Sequence, residues 1–463
     1  MDREQKKRKR AIKVAITDII MVIALVVVVI VLTMIAMGYN LNKDGEVGQQ
    51  GIAQIHSMPS GASITIDGNT IIPRTNASRL MEPGGHYVEL SRDGYDTWGK
   101  SIEIEPGVVY KMDYPRLFLQ NREVETMREY GEGLAFFEPA PNHDSLLYTT
   151  NGSTDWNWLD IRGDTAIDKQ LDMSKILEGL TVDKVKWNIN NDKVLVKTHD
   201  SENKDKWILV YIKEVESSVN LSNEFDMNFT DVEFANGGGE RLYVMENGNL
   251  RTIVTGEKVI SQVIAGNVKD YAFEGDTLMY LTADNKVMLY REGEKDLEIT
   301  QFNESQSVHV ALSEYLSKKY VSFVVDKKLY VYRGEYPNAD RSLSDMEMVF
   351  EGDLDIDTDE FEVDGAGEFL IAKSGKKISL FDAELNKLHQ FELEGDQMFF
   401  LDLYLIGTIK EGKLVVCDFD NTNHRELTKA SGQAVITQNN KWLYYLLVDG
   451  DGKALVNREK ILD

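Results

Sequence analysis

The chain has 463 residues, 42% of them hydrophobic, and its 51 basic and 77 acidic residues give a formal net charge of −26. This length is too great for one compact core, so two or three domains are expected. The acidity argues against nucleic acid or anionic lipid as a partner and favours divalent cations or basic proteins, although a solvated, soluble surface also accounts for it.

Cysteine usage limits the covalent chemistry of the chain. Cys417 is its single cysteine, so no internal disulfide can form. It lies in the apolar run KLVVCDFD, which predicts a buried thiol. A large exported chain without disulfides is more typical of a bacterial surface than of a eukaryotic secretory pathway.

The stretch from Ile19 to Met37 is uncharged and has about the length that a helix needs to cross the hydrocarbon core of a bilayer. Seven basic residues precede it, against the three acidic residues Asp2, Glu4 and Asp18: Arg3, Lys6, Lys7, Arg8, Lys9, Arg10 and Lys13. The positive-inside rule therefore predicts a cytoplasmic tail over 1–14, a transmembrane helix over 15–38 and an extracytoplasmic remainder.

A cleaved signal peptide is the alternative to this anchor, because Ala36-Met37-Gly38 has the small-residue spacing that a signal peptidase recognises. The apolar run is longer than the 7–15 or so residues usual in signal peptides, which favours an uncleaved anchor. No cysteine lies near position 38, which excludes a lipid-modified N-terminus there.

Residues 39–50 are polar and contain glycine, which predicts a flexible spacer. From residue 51 the pattern changes to period two, with apolar and polar residues alternating around Ile64, Val88, Ile102 and Met112. The runs end in turn signals such as Asp-Gly and Pro-Gly. The sequence therefore predicts a small β-sandwich over 51–118.

Three segments of this region resemble the PEGA domain: SMPSGASITIDG (57–68), EPGGHYVELSRDGYDTW (82–98) and IEIEPGVVY (102–110). That family is found mainly in bacterial and archaeal surface proteins and is regarded as a non-catalytic β module. The resemblance thus implies a fold and a location, without chemistry. Where the family usually has a Thr-Pro pair, this chain has Ile72-Pro73-Arg74-Thr75, which leaves the 69–80 connection open.

Three polar residues of this domain have structural explanations. His86 falls on the inward phase of its strand, which predicts a hydrogen-bonded core histidine rather than a ligand. Asp67 and Asp93 each precede a glycine, the usual chemistry of a tight turn.

Residues 119–132 are predicted to be a connector, with Val124, Met127 and Tyr130 at helical spacing. From residue 133 to 463 a unit of two apolar strands joined by a turn recurs, and only Asp172 to Leu180 could form an amphipathic helix. The eight units average about 42 residues and are marked by Leu146, Lys193, Arg241, Thr277, Lys319, Glu368, Leu403 and Lys441.

This period is close to that of a four-stranded propeller blade and about half that of a sandwich domain. A ring of sheets also removes the free edges that some 30 strands would leave in an open sheet. The chain is therefore predicted to be all-β, with one N-terminal transmembrane helix, a PEGA-like sandwich and a β-propeller of seven to eight blades. The propeller resemblance is generic, because no WD dipeptide or kelch double glycine recurs.

The search for catalytic motifs finds no Gly-x-Ser-x-Gly elbow, His-Glu-x-x-His, P-loop or Rossmann pattern. The seven histidines are scattered singly: His56, His86, His143, His199, His309, His389 and His424. We therefore predict no catalytic, cofactor-binding or metal-binding residues and no cofactor.

Two clusters remain as weaker candidates. The acidic run from Asp353 to Glu360 has D-x-D-x-D spacing, but it lacks the glycine and the terminal glutamate of a calcium loop, so a solvated edge strand is the default. Trp156 and Trp158 share one face of a strand, where they could stack on a sugar or simply pack.

The favoured interpretation is a membrane-anchored, non-catalytic binding or scaffolding protein of the cell envelope. Its propeller would bind an envelope protein or glycan, and not nucleic acid. The alternative is an exported propeller enzyme acting on envelope glycans, which would need paired carboxylates converging on the central channel. A sensor that transmits a signal inward is disfavoured by the short cytoplasmic tail.

Overall fold

The computed structural model describes residues 3–36, 39–41, 47–131, 133–235, 238–396 and 398–463. The chain divides into two compact units, residues 1–121 and 122–463. Apart from the N-terminal helix and three short helical turns, the described residues form strands and the loops between them.

The helix α1 spans Arg3–Ala36 and contains one window, Ala15–Met34, that is long and apolar enough to cross a membrane. Its mean hydropathy is 3.1, and none of the window is buried in the protein. The Thr33 hydroxyl donates to the Val29 carbonyl at 2.8 Å, so this polar side chain is satisfied within its own helix. Met37 and Gly38, where the predicted helix ends, lie outside the described residues.

Two short strands follow the helix, β1 (Tyr39–Leu41) and β2 (Val47–Gln49), which pair antiparallel. Residues 42–46 of the predicted spacer lie outside the described residues. The flexibility of the spacer stays a prediction.

The rest of the first unit is a β-sandwich. One sheet has three strands in the order β6-β3-β9, with β3 and β9 parallel, and the other has four in the order β5-β4-β7-β8. Their bounds are β3 Gly51–Ile55, β4 Ser63–Ile66, β5 Asn69–Ile71, β6 Ala77–Met81, β7 Gly84–Ser91, β8 Trp98–Ile104 and β9 Val109–Met112. The predicted alternation is confirmed, because Ile64, Val88, Ile102 and Met112 are all buried.

The described residues of the second unit form eight four-stranded antiparallel sheets. Sheet 1 consists of β11 Leu134–Pro139, β12 Ser145–Thr150, β13 Asp155–Asp160 and β14 Ile167–Asp172, and sheet 2 of β15 Thr181–Trp187, β16 Lys193–His199, β17 Asp205–Tyr211 and β18 Val219–Asn220. Sheet 3 consists of β19 Asp231–Phe234, β20 Arg241–Glu246, β21 Asn249–Val254 and β22 Val259–Ile260. Sheet 4 consists of β23 Val268–Glu274, β24 Thr277–Thr282, β25 Lys286–Tyr290 and β26 Leu297–Gln301.

Sheet 5 consists of β27 Val308–Tyr315, β28 Lys318–Val325, β29 Lys328–Arg333 and β30 Glu347–Asp353. Sheet 6 consists of β31 Glu360–Val363, β32 Phe369–Ser374, β33 Lys377–Asp382 and β34 Lys387–Glu392. Sheet 7 consists of β35 Met398–Phe400, β36 Leu405–Lys410, β37 Lys413–Asp418 and β38 Arg425–Lys429. Sheet 8 joins β39 Ala434–Ile436, β40 Trp442–Val448 and β41 Ala454–Lys460 to β10 Val124–Tyr130. Each of the eight predicted repeat markers lies at or just before the second strand of a sheet, so the repeat and its number are confirmed.

The sheets pack face to face around an axis, with the first strand of each nearest to it, as the neighbouring first strands β23, β27 and β31 show. Buried apolar clusters join sheets 1 to 6 in sequence. Phe369 of sheet 6 stacks on Phe419 of sheet 7, and the Ile436 N–H of sheet 8 donates to the Leu401 carbonyl of sheet 7. This arrangement is a β-propeller of eight blades.

Sheet 8 closes the ring. Its strands share a buried cluster with sheet 1, in which Tyr444 and Val456 pack with Leu146 and Tyr148. The Arg458 guanidinium donates to the Asp164 carbonyl at 2.7 Å, which adds a polar contact between the last blade and the first.

The prediction of a helix from the spacing of the connector was wrong. The connector holds strand β10, whose register shift between Thr126 and Arg128 is a β-bulge. The bulge moves the side-chain phase by one residue, so Met127 and Tyr130 both face the sheet 1 and sheet 8 cluster. In the segment that could have formed an amphipathic helix, Asp172 is the last residue of β14 and residues 173–180 form turns and loop.

Candidate functional site

The first strands of sheets 2, 3 and 4 bring a set of charged and polar side chains together near the propeller axis. Lys186 of β15 forms an ion pair with Glu233 of β19. The Tyr271 hydroxyl of β23 donates to the Asp231 carboxylate of β19 at 2.6 Å. Each contact joins one blade to the next, because the partners lie at corresponding places on neighbouring first strands.

The same pattern continues into sheet 5. The Asp270 carboxylate of β23 accepts from the Val310 N–H of β27 at 3.1 Å, and its oxygen lies 3.8 Å from His309 Nδ1. Burial raises the pKa of Asp270 and that of Glu233, although the Lys186 ammonium opposes the shift at Glu233. Burial, with the nearby Asp231 charge, also raises the pKa of Tyr271.

Glu138, near the end of β11, is the corresponding acid of sheet 1. Burial raises its pKa to about 7, against a weaker opposing effect of the Lys184 ammonium on sheet 2. We name the seven residues on these five strands the axial polar cluster: Glu138, Lys186, Asp231, Glu233, Asp270, Tyr271 and His309. The cluster has the residue types that acid–base chemistry uses, with one acid that titrates near neutrality.

A second group of acids lies on sheet 6, next to Tyr404 of sheet 7. Glu368 is buried and accepts from the Tyr404 hydroxyl at 3.1 Å. Burial, together with the Asp382 charge, raises the pKa of Glu368 to about 8, and burial raises that of Asp382 to about 6. Glu384 accepts from the Tyr315 hydroxyl of sheet 5 at 2.9 Å. Glu368 and Asp382 therefore favour the folded state most when they are protonated.

The residues that the sequence suggested as weaker candidates take structural positions. Trp156 is fully buried in the cluster between sheets 1 and 2, and Trp158 packs against the same cluster, so neither forms an exposed platform for a sugar. Cys417 is buried as predicted, and burial raises its pKa to about 12. The scattered histidines include His143, whose Nδ1 lies 3.0 Å from the Ile436 carbonyl.

The prediction of an edge strand for the acidic run was wrong. Residues 354–359 form the loop between sheets 5 and 6, with Leu354 and Ile356 buried in the cluster that joins those sheets. Asp357 pairs with Lys327 at 3.0 Å, and Asp359 accepts from the Ser374 hydroxyl at 2.8 Å. Within the described ranges, no three His, Cys, Asp or Glu side chains are placed to hold a metal ion.

In the sandwich, Asp67 and Gly68 have positive φ, as the predicted hairpin turn requires. His86 is hydrogen-bonded as predicted, with Nδ1 2.7 Å from Asp67 and Nε2 2.8 Å from the Glu82 carbonyl. Although partial burial opposes it, the bond to Asp67 raises the pKa of His86.

The axial polar cluster could not be recognised in the sequence as one group because its members on neighbouring blades lie some 40 to 50 residues apart. A signal was present, since the repeat markers locate each second strand and the charged residues precede them at similar distances. Sorting these charges by position within the repeat would have placed Glu138, Lys186 and Glu233 on one ring.

An apolar N-terminal helix, a small β-sandwich and a propeller define an envelope-associated propeller protein. The comparison with protein families adds the identity of the sandwich: the PEGA domain matches residues 50–117, which confirms the resemblance. No curated protein matches the chain.

Among solved structures, the chain is similar to PorZ, described as an essential bacterial surface component of the type-IX secretion system of Porphyromonas gingivalis. The identity is 12% and the TM-score 0.42, over 70% of this chain and 42% of PorZ. The chain is also similar to dipeptidyl peptidase 4 of the same organism. The identity is 10% and the TM-score 0.49, over 73% of this chain and 60% of the peptidase. For BamB from Moraxella catarrhalis, the identity is 11% and the TM-score 0.41, over 72% of this chain and 99% of BamB.

The chain thus spans less than half the length of PorZ. At these identities and TM-scores the likenesses carry no argument about function, and the fold assignment rests on the eight sheets themselves.

Proposed function

We propose that this protein is a single-pass, membrane-anchored scaffold of the cell envelope. The N-terminal tail lies in the cytoplasm, the PEGA domain forms a stalk outside the membrane, and the propeller binds an envelope protein or glycan without turning it over. Helix α1 and the seven basic residues before its apolar window support the topology.

The observation that carries the non-catalytic role is the way the axial polar cluster is used. Lys186 is paired with Glu233, Tyr271 donates to Asp231, and Asp270 accepts from a backbone N–H. Each contact crosses from one blade to its neighbour. Groups committed in this way fix the position of the blades, whereas a catalytic acid and base must exchange their contacts with a substrate.

The charge of the exported part supports the partner class. Beyond residue 14 the chain carries 44 basic and 75 acidic residues, a net charge of −31. Such a surface repels nucleic acid and anionic lipid and leaves proteins and neutral or basic glycans as partners.

An exported glycan-acting enzyme is the second candidate, and the pKa of Glu138, raised to about 7 by burial, favours it. An acid that titrates near neutrality can give and take a proton at working pH. Glu138 and Glu233 would then be the acids to test.

The experiment compares binding with turnover. The full-length protein in lipid nanodiscs is incubated with purified envelope glycans and peptides, and both retention and new products are followed by mass spectrometry. We expect retention without products, and the same retention for Glu138→Gln. Products that the wild type forms and Glu138→Gln does not would replace the scaffold with the enzyme.

The orientation has its own test. Protease added to intact cells should digest the propeller while the basic tail stays protected. Protection of the propeller would overturn the topology. Release of the mature chain by carbonate without detergent would mean that the anchor had been cleaved.

A further inference from the structure

A depression of about 460 Å³ lies on the outer rim of the propeller between sheets 1 and 2. Strand β14 and the turn after it form one wall, and the loop after β17 forms the other. We name it the rim depression. Its lining is Lys169, Gln170, Leu171, Asp172, Lys175, Ile176, Lys213, Val215, Glu216 and Ser218.

The rim depression is locally basic on this acidic protein, with three lysines against two acids in its lining. Three exposed lysines, Lys169, Lys175 and Lys213, surround it. Among the described residues none of the three ammonium groups has a carboxylate oxygen within 4.0 Å, whereas only about half of the propeller's lysines do. One of its two acids, Asp172, is already occupied, because its Oδ1 accepts from the Ser174 N–H at 3.0 Å.

The floor of the depression is apolar. Leu171 is buried in the cluster between sheets 1 and 2, and Ile176 and Val215 pack against that cluster with part of their surfaces open. An apolar floor inside a ring of lysines suits a ligand that carries negative charge beside an apolar group.

The backbone of β14 adds a third feature. This strand is the last in sheet 1 and pairs only with β13, so among the described strands its other edge is open. Lys169 lies opposite Trp158 and Leu171 opposite Trp156, so the two side chains share the face that looks toward sheet 2. A strand added to this edge would present alternate side chains to the same face.

We propose that the rim depression binds an extended acidic segment of a partner protein, which adds a strand to β14. An apolar side chain of the segment covers Leu171, Ile176 and Val215, and carboxylates two positions to either side bind the lysines. This inference rests on the proposed scaffolding function and names its partner class: an acidic peptide with an acid-x-apolar-x-acid pattern.

The test uses the full-length protein in uncharged nanodiscs and fluorescein-labelled acetyl-TETLTET-amide, followed by anisotropy. The control peptide TELTTET has the same composition but places leucine and glutamate on opposite faces of a strand. We expect the first peptide to bind at least tenfold more tightly than the second, and its affinity to fall with added salt.

Matched variants locate the site. The triple variant K169Q/K175Q/K213Q should weaken TETLTET binding at least tenfold. The control K318Q/K387Q/K429Q removes the same charge from three exposed lysines that have no ion pair among the described residues, and it should bind like the wild type. Val215→Ser should weaken binding several-fold while leaving the salt dependence unchanged.

Several results would overturn the inference. The inference is wrong if the two peptides bind with equal affinity, or if the two triple variants lose equal affinity for TETLTET. It is also wrong if the wild type binds neither peptide, as expected if the lysines only prevent another strand from pairing with the edge of β14. Binding of vesicles with 30% anionic lipid in place of the peptide would make the rim a membrane contact. Retention of an envelope ligand by both the wild type and K169Q/K175Q/K213Q would refute this site while leaving the scaffold intact.

Discussion

The first strands of sheets 1 to 5 and those of sheets 7 and 8 surround the same axis with different chemistry. In sheets 1 to 5 they carry the axial polar cluster, with contacts that cross from blade to blade. In sheets 7 and 8 they are the uncharged strands Met398–Phe400 and Ala434–Ile436. Sheet 6 is intermediate, since its Glu362 pairs with Lys373 of the same sheet.

The difference shows two ways of holding a blade in a ring. Apolar burial is non-directional and tolerates small shifts, whereas an ion pair or a hydrogen bond requires defined partners. The polar side of the ring therefore specifies which blade lies beside which, and the apolar side accepts the last blade when the ring closes. The free energy of unfolding should respond to charge reversal in sheets 1 to 5, to side-chain volume in sheets 7 and 8, and to pH wherever an acid is buried.

The largest effect is expected from removing the apolar end of the ring. Truncation after Gly432 deletes β39, β40 and β41, leaves β10 without its partner and exposes the faces of sheets 1 and 7 that pack against sheet 8. The fragment should aggregate in size-exclusion chromatography, whereas truncation after Ile461 should leave a soluble monomer. A soluble, monomeric 1–432 chain in detergent with an intact far-UV spectrum would show an open array that does not need closure.

Reversing a charge in the axial polar cluster should give the next largest loss. Lys186→Glu sets two carboxylates against each other across sheets 2 and 3, where the side chains are only 38% and 23% exposed. We expect a loss of about 3 kcal/mol in the free energy of unfolding, measured by urea denaturation.

The control for that variant is Lys373→Glu, whose partner Glu362 is 48% exposed and lies in the same sheet. This variant should lower the free energy of unfolding by about 1 kcal/mol. If Lys186→Glu and Lys373→Glu lower the free energy of unfolding equally, the contact between two blades gives the Lys186–Glu233 pair no special role.

The pH dependence should come largely from buried acids such as Glu368. Burial raises its pKa from 4.5 to about 8, so the folded protein keeps this proton between those values while the unfolded chain has lost it. The free energy of unfolding therefore falls as pH rises through that window, by up to about 1.4 kcal/mol per pH unit from this group.

Glu368→Gln should flatten this decline between pH 5 and 8, as measured by urea denaturation at one-unit steps. The exposed Glu257→Gln should leave it unchanged. Parallel curves for wild type and Glu368→Gln would mean that Glu368 is ionised in the folded protein.

The smallest effect is expected from a single methylene on the apolar side. Ile436 is almost fully buried, so Ile436→Val should cost about 1 kcal/mol. The loss should be the same at pH 5 and 8 and at low and high salt. A strong dependence on either would show that charges also hold this side of the ring.

Most of the architecture could be predicted because it is repeated locally. An apolar strand, a turn and a second apolar strand recur eight times in the sequence. These two strands are the second and third strands of each blade. Strand β10 could not be identified in this way, since it lies alone and its bulge at Met127 gives apolar spacings typical of a helix. Its role depends on a partner at the other end of the chain.

The site was less predictable than the fold for the same reason. Burial and turn residues could be inferred for Cys417, His86 and Asp67 from their neighbours in sequence. The contacts of Glu233 and Tyr271 depend on how blades rotate against each other, which no local pattern specifies. The loop 354–359 was misread because its alternating acids resemble a strand, although Leu354 and Ile356 anchor it between two sheets.

The closure of sheet 8 also ties folding to the order of synthesis. Glu125 and Arg458, which bond at 2.8 Å, are 333 residues apart in the chain. At the usual rate of about 5–20 residues per second, β10 is made roughly 15–70 s before its partner exists. Until then it has no sheet to join, and every nascent or prematurely terminated chain keeps an open ring. Synthesis of β41 is thus the step that allows the separate blades to close into a ring.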